Sequence, residues 1–338
     1  MPSRPITLGD VARAVGTSLP TVSQVLSGQA RARRISERLE ARVLSAARRL
    51  GYRPNLLARS LRTRRSMTIG ILLPNLCQTF YPAVVAAFQQ EVRGKGYLLL
   101  LSNHYEDATL MDEELSLLEQ RMIDGLVIGP PAGGRAAMAR VLAFAARMPS
   151  VAFDWHHSRI DSVFNSPASL SLAAARHFQS KSIRRVLGIT LNDPTAKNAR
   201  PRDSRARMQR FLAAFSGVGR SVETWEVTGA EDLAERVRRG SASGFLSRFE
   251  GCFCTNTILG ESFVGELLSV DPAILRRILP VMISGNLAPT PLGRHVAVVH
   301  QDPAALGQAL ASRLLLRLGG VRLRPARVEI PPRLVERS

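Results

Sequence analysis

The sequence predicts a chain in two parts, a small all-α helix-turn-helix unit followed by a larger α/β unit built on parallel sheets. Three observations carry this. The 338 residues exceed what one domain usually holds, and 45% of them are hydrophobic, enough for large cores. Two short capped helices separated by glycine open the chain. From Met67 onward, short apolar runs alternate with helix-length amphipathic stretches.

Thr7-Leu8-Gly9-Asp10 has capping-box spacing, and Val11, Ala14 and Val15 then recur at helical spacing. Gly16 suits a left-handed helix stop. Ser18 can cap the next helix, with Leu19 and Pro20 in its first turn, where amides have no intrahelical partner. Val22, Val25 and Leu26 form its buried stripe and Gly28 ends it. A third helix starts at Ser36, with Leu39, Val43, Ala46 and Leu50 on its apolar face. In a helix-turn-helix the second helix enters the major groove. Here it presents Leu19, Pro20, Thr21, Ser23 and Gln24. Gln24 suits a bidentate contact to adenine and Leu19 a thymine methyl. Thr7, Ser18, Thr21 and Ser23, with the helix-end amides, suit phosphates.

Charge agrees with that reading. The formal net charge is +19, and residues 1–66 carry fourteen arginines against Asp10, Glu37 and Glu40, a surplus of +11. A polyanion is expected at the N-terminal end. No lipid anchor or basic amphipathic helix suggests a membrane surface, and no apolar run reaches the roughly 18 residues of a span. Met1 to Thr7 lacks an apolar leader, so the expected location is the cytoplasm. Three cysteines, Cys77, Cys252 and Cys254, make no disulfide framework and fit a reducing compartment.

After Gly51 comes Tyr52-Arg53-Pro54-Asn55 and a two-turn segment in which Leu57, Ala58 and Leu61 share one face among Arg59, Arg62, Arg64 and Arg65. Such a segment is too short to be stable alone. It reads equally as a minor-groove wedge or as an interdomain linker.

These residues resemble the LacI/GalR family of transcriptional regulators. The resemblance is carried by Leu8-Gly9-Asp10-Val11-Ala12, Val15-Gly16-Thr17-Ser18, Thr21-Val22-Ser23-Gln24-Val25-Leu26-Ser27-Gly28 and Ile35-Ser36-Glu37. It continues through Leu50-Gly51-Tyr52-Arg53-Pro54-Asn55, Ala58-Arg59-Ser60-Leu61-Arg62-Thr63 and Thr68-Ile69-Gly70-Ile71-Leu72-Leu73-Pro74. It spans essentially the whole chain and weakens after about residue 190. The resemblance implies a homodimer on a pseudo-palindromic double-stranded DNA operator. It implies that Leu61 is the wedge, with Asn55, Ala58 and Arg62 beside DNA, and that Leu19, Pro20 and Gln24 read bases. The family often has Arg at the Gln24 position, and Pro20 is unusual at its own, so no relative's operator carries over.

The resemblance also implies a core like that of periplasmic sugar-binding proteins: two parallel-sheet subdomains with an effector cleft between them. The expected division is a headpiece over 1–53, a hinge over 54–66 and a core over 67–332. The first subdomain covers about 67–165 plus 297–327, and the second about 166–296 plus the C-terminal tail. Strands are expected at Thr68–Leu73, Tyr97–Leu101, Gly125–Ile128, Ser150–Phe153, Arg185–Ile189, Gly251–Cys254, Val281–Ser284 and Val296–Val299. Ligands of such sheets sit at strand C-terminal ends. The effector candidates there are Phe80 and Tyr81, Ser102 and Asn103, and Asp154 and Trp155. Arg207, four residues before Phe211, matches the family's effector-contacting Arg, and Asn256 matches the Asn of its A-N-D turn.

Departures from the family bear on the ligand. Thr257 replaces the Asp after Asn256, Gly285-Asn286-Leu287-Ala288 lacks two usual carboxylates, and Arg210 replaces a usual Gly. A cleft that loses acids and keeps Arg207 suggests an acidic or phosphorylated small molecule. No nucleotide loop, nucleophile elbow or zinc-protease motif appears, so no cofactor and no enzymatic activity are expected. His156-His157 point apart as neighbours, and Cys252-Phe253-Cys254 lacks a second zinc pair. A transport-type binding protein and an enzyme are the competing functions; the helix-turn-helix and the lack of a signal peptide argue against the first, and the lack of a nucleophile–base set or cofactor loop against the second. No leucine heptad follows Pro325, which favours a dimer over a tetramer.

Overall fold

The computed structural model describes residues 6–52, 65–76, 80–192, 200–285, 292, 295–321 and 324–336, the side chains of 200–203 excepted. The chain divides into two units, Met1–Ser66 and Met67–Ser338.

In the first unit α1 is Leu8–Val15, α2 Leu19–Leu26 and α3 Glu37–Arg49. The Thr7 side chain accepts from the Asp10 amide, and the Asp10 carboxylate accepts from the Thr7 amide at 2.8 Å, which satisfies two amides that a helix start leaves open. Gly16 stops α1 at φ 69°, a conformation a side chain would strain. Ser18 accepts from the Thr21 amide, and Pro20 sits in the first turn at no cost in hydrogen bonds. Val11, Ala12, Val15, Val22, Val25, Val43, Ala46 and Ala47 close the core. Ala14, expected to face inward, is exposed, and Ala12 takes the inner position. Arg42 Nη2 donates to the Val15 carbonyl at 2.6 Å and so fixes α3 against the turn.

The second unit holds two six-stranded sheets. The first joins β1 Thr68–Leu73, β2 Leu98–Asn103, β3 Gly125–Ile128, β4 Ser150–Phe153, β5 Asp161–Phe164 and β11 Arg327–Glu329, in the order β11-β5-β4-β3-β1-β2. The second joins β6 Arg185–Leu191, β7 Ser221–Val227, β8 Gly251–Cys254, β9 Leu279–Ser284, β10 Ala297–His300 and β12 Arg333–Val335, in the order β12-β10-β9-β8-β6-β7. Every pairing is parallel except β10 with β12.

Helices cover both faces, as parallel sheets require. On the first sheet α4 (Phe80–Arg93) and α11 (Pro303–Leu318) bury Val84, Phe88, Leu306, Leu310 and Leu314 on one face. The other face takes α5 (Ala108–Gln120) and α6 (Gly134–Arg147) through Leu115, Leu118, Val141 and Phe144. On the second sheet α7 (Pro167–Ser180) and α8 (Arg200–Phe215) stack Phe178, Phe211 and Phe215 on Phe253 and Val281. On its opposite face α9 (Ala230–Ala242) and α10 (Thr257–Val270) bury Leu233, Val237, Phe263 and Leu267.

The chain crosses between the lobes after β5, after β10 and between β11 and β12. Asn165 Nδ2 donates to the Ile330 carbonyl at 2.7 Å, and Gln301 Nε2 donates to Asn165 Oδ1 at 3.4 Å, so the three crossings hold one another. Residues 297–300, expected in the return to the first lobe, are β10 and pair with β9 in the second sheet. The return begins with α11, and its end is locked where buried Asp161 accepts from Arg317 Nε at 2.7 Å and from the Ala326 amide at 2.6 Å. The reason for the difference is local: Ala297-Val298-Val299-His300 is an apolar run that completes the ladder beside β9 and is buried along its length.

Candidate functional site

The first candidate surface is the start of α2. Leu19, at 51% exposure, and Pro20 stand clear of the headpiece core, which takes Val22 and Val25 from the opposite side of the helix. Thr21, Ser23 and Gln24 are half-buried on the flanks. Ser18 Oγ and Thr21 Oγ1 share a hydrogen bond at 2.8 Å at the helix entry. Thr7 is exposed, with its hydroxyl donating to Asp10 Oδ2 at 2.7 Å. The open amides and positive end of a helix N-terminus favour anions. An apolar tip flanked by hydroxyls and one amide side chain therefore has the chemistry of groove edges and phosphates. Asn55, Ala58, Leu61 and Arg62 lie outside the described residues.

The second candidate lies at the C-terminal ends of the two core sheets. In the first lobe Phe80, Tyr81 and Phe153 form a ring cluster with centroids 5.5–5.8 Å apart. Tyr81 is buried and its hydroxyl donates to Asp154 Oδ2 at 3.4 Å. Asp154 adopts φ 65°, in the left-handed region that Asp tolerates better than most residues, directly after β4. Asn103 Oδ1 accepts from the Leu76 amide at 3.0 Å and holds the segment leaving β1. Ser102 donates to Glu114. The Trp155 ring packs against the first-lobe core, and its N–H donates to the Ile128 carbonyl at 2.9 Å.

In the second lobe Arg207 Nη1 donates to the Thr255 carbonyl at 2.9 Å, and Ser171 Oγ donates to the Arg207 carbonyl at 2.7 Å. The Asn256 oxygen caps α10 by accepting from the Leu259 amide at 3.0 Å. Thr257, in place of the expected acid, reaches the Ile283 carbonyl at 3.4 Å. The lobes also meet at Gly285: a Cβ there would lie 2.5 Å from Phe80 Cδ2, so the Phe80 ring rests against the bare backbone that leaves β9. Phe80, Tyr81 and Asp154 are thus gathered in one lobe, Arg207 and Asn256 in the other, with Gly285 against the first group. Asn103 and Trp155 lie at the same sheet end, with bonds to the lobe's own backbone.

Two polar residues at this end escaped the sequence reading. Thr190 and Thr255 are buried to 1% and 0% exposure, and neither hydroxyl has a partner among the described residues. Thr190 is the penultimate residue of β6 and Thr255 directly follows β8, each a hydroxyl after an apolar run, the one signal that marks them. Elsewhere, His156 stacks on Phe164 at 5.1 Å and His157 Nδ1 accepts from the Arg159 amide, so the adjacent pair points into separate contacts. Cys252 and Cys254 share one buried face of β8 with sulfurs 3.8 Å apart, and burial pushes the Cys252 thiol up.

Comparisons with known proteins match both parts of the chain. Bacterial regulatory proteins of the lacI family match residues 7–55. The periplasmic binding proteins and sugar binding domain of the LacI family match residues 66–237. The transcriptional repressor PurR of Proteus mirabilis is 27% identical over 344 aligned positions, covering 98% of this chain and 96% of that protein. The lac repressor dimer bound to operator and the anti-inducer ONPF superimposes with a TM-score of 0.82 at 20% identity, covering 99% of this chain and 98% of that one. The Cra dual regulator of Pseudomonas putida, in complex with fructose 1-phosphate, superimposes with a TM-score of 0.63 at 18% identity over 80% of this chain and 99% of its own. A helix-turn-helix that shows its second helix, joined to a two-lobed parallel-sheet core, thus coincides with matches over most of the sequence. The chain belongs to the lacI family of bacterial regulatory proteins and is a DNA-binding transcriptional regulator with a sugar-binding-type effector domain, not an enzyme.

Proposed function

We propose that the chain is a cytoplasmic repressor whose homodimer binds a pseudo-palindromic double-stranded operator, under the control of an acidic or phosphorylated sugar held between the core lobes. The exposed start of α2 carries the reading, because Leu19 lies outside the headpiece core cluster and stands half-exposed at the tip a major groove would meet. Gln24 reads one base, and Thr7, Ser18, Thr21 and Ser23 position the headpiece on phosphates. Residues 1–53 are the headpiece, 54–66 the hinge and 67–332 the sensing core. In the hinge Asn55, Ala58 and Arg62 flank the groove and Leu61 wedges between base pairs.

Phe80, Tyr81, Asn103, Asp154, Trp155, Arg207 and Asn256 form the effector cleft. Support for an anionic ligand comes from Arg207 at the sheet end and from the replacement of a cleft acid by Thr257. The fructose 1-phosphate complex of Cra supplies a precedent on the same fold. Ligand acts by preferring one lobe arrangement, which changes the population able to pair two hinges on DNA.

Leu61→Ala tests the DNA half of the proposal. It is expected to weaken operator binding while leaving salt-sensitive binding to random DNA nearly unchanged, because only the wedge is lost. Equal losses on both DNAs would contradict it.

A further inference from the structure

Beside Arg207 the second lobe leaves three buried polar atoms without a partner among the described residues: Arg207 Nε, Thr190 Oγ1 and Thr255 Oγ1. They belong to one place. β6 and β8 are neighbours paired in parallel with Ile189 opposite Cys254, and the Thr255 amide donates to the Ile189 carbonyl at 3.1 Å. Thr190 and Thr255 are therefore the next residues along adjacent strands. Alternation fixes their direction: Val186 and Phe253 face α7 and α8, so Thr190, four residues on, and Thr255, two residues on, face the same way. Arg207 approaches from α8 on that face and reaches the Thr255 carbonyl.

Buried polar groups are nearly always paired, and three orphans in one cluster are unusual. Two hydroxyls and a guanidinium N–H can all donate at once, and no carboxylate is bonded to any of them among the described hydrogen bonds. That donor set suits an acceptor with several oxygens and a negative charge.

We propose that Thr190 and Thr255 are specificity-determining residues of the effector cleft, their hydroxyls joining Arg207 Nε to hold the phosphoryl or carboxylate group of the ligand. This rests on the reading of an anionic effector and adds the residues that select it. The three atoms are buried in the present arrangement. An oxyanion reaches them as the Arg207 guanidinium turns off the Thr255 carbonyl, so the site exchanges one backbone hydrogen bond for several charge-assisted ones.

Titration calorimetry of the full-length protein with fructose 1-phosphate, inorganic phosphate, glucuronate and fructose tests this, alongside unfolding temperatures without ligand. The phosphates and glucuronate separate the two sources of charge. Wild-type protein is expected to bind at least one anionic probe in preference to fructose. Thr190→Val and Thr255→Val are expected to weaken that binding about tenfold or more while leaving the unfolding temperature unchanged or raised, because each removes an unpaired hydroxyl. Thr255→Ser, which restores the hydroxyl, is expected to recover binding. Anionic binding that both Val variants retain would overturn the role of the two threonines and leave the anionic-effector reading intact. Wild-type protein that binds none of the anionic probes, or binds fructose equally well, would overturn both. A Val variant that unfolds at markedly lower temperature would show that the hydroxyls serve the fold, and would also overturn the proposal.

Discussion

Replacing Gly285 by Ala tests whether the core lobes meet as described. Gly285 has no left-handed backbone, so the substitution carries no conformational penalty of that kind. Its cost is steric. The new Cβ would sit 2.5 Å from Phe80 Cδ2 and 3.4 Å from Cε2. Carbon atoms settle at about 3.5–4.0 Å, so ring or lobe must shift by about 1 Å. Phe80 cannot turn away freely, because its ring already lies 5.5 Å from Tyr81 and 5.8 Å from Phe153. Overpacking of this kind costs about 1–3 kcal/mol. The penalty falls only on arrangements that bring Phe80 onto Gly285, and about 1.4 kcal/mol is a tenfold change in their population. A double-mutant cycle with Phe80→Ala, read by denaturant unfolding and by operator affinity, isolates the effect. Gly285→Ala should cost about 1–3 kcal/mol in the wild-type background and almost nothing once Phe80 is truncated. Additivity within about 0.5 kcal/mol would refute the contact between the lobes.

Other outcomes follow from the same geometry. Gln24→Ala should relax base preference at one position of each half-site and cost about 1–3 kcal/mol, which a binding logo of the variant checks. Acid-sensitive stability is expected from His104, which is fully buried, accepts the Glu106 amide on Nδ1, and has its pKa lowered by burial from 6.5 to about 4. Between those values the unfolded chain takes up a proton that the fold refuses, so stability falls as the pH drops below about 6.5. The loss by pH 5 is about 2 kcal/mol. Denaturant titrations at pH 7 and pH 5 should show it, and His104→Gln should flatten it; an unchanged slope in the variant would assign the acid sensitivity elsewhere. Burial lowers His177 and His300 in the same direction, so the variant removes part of the slope.

The headpiece was legible because its rules are local. Thr7 with Asp10, Ser18 with Thr21 and the stop at Gly16 lie within one turn of what they control, and periodicity picked the buried valines. Ala14 misled because alanine on a helix fits either face. In the core, the apolar runs of β1, β3, β4 and β8 announce buried parallel strands. Four strands carry no such run, for reasons of partnership. β5 opens on Asp161, an acid that is buried only because Arg317 and Ala326 reach it from far along the chain. β7 carries Glu223 and Glu226 at a sheet edge, and β11 and β12 are three-residue strands defined by their neighbours. The cleft shows the same limit. The positions of Arg207 and Asn256 came through resemblance, whereas the meeting of Phe80 with Gly285 and the orphaned hydroxyls of Thr190 and Thr255 exist only after folding.

The most direct measurement is selection of bound sequences from random double-stranded DNA by the purified full-length protein at a defined salt concentration. A pseudo-palindrome is expected, with two half-sites that each depend on Gln24 and Leu19. Salt-sensitive binding that enriches no motif, with or without phosphorylated and acidic sugars present, would contradict the claim that the start of α2 reads sequence.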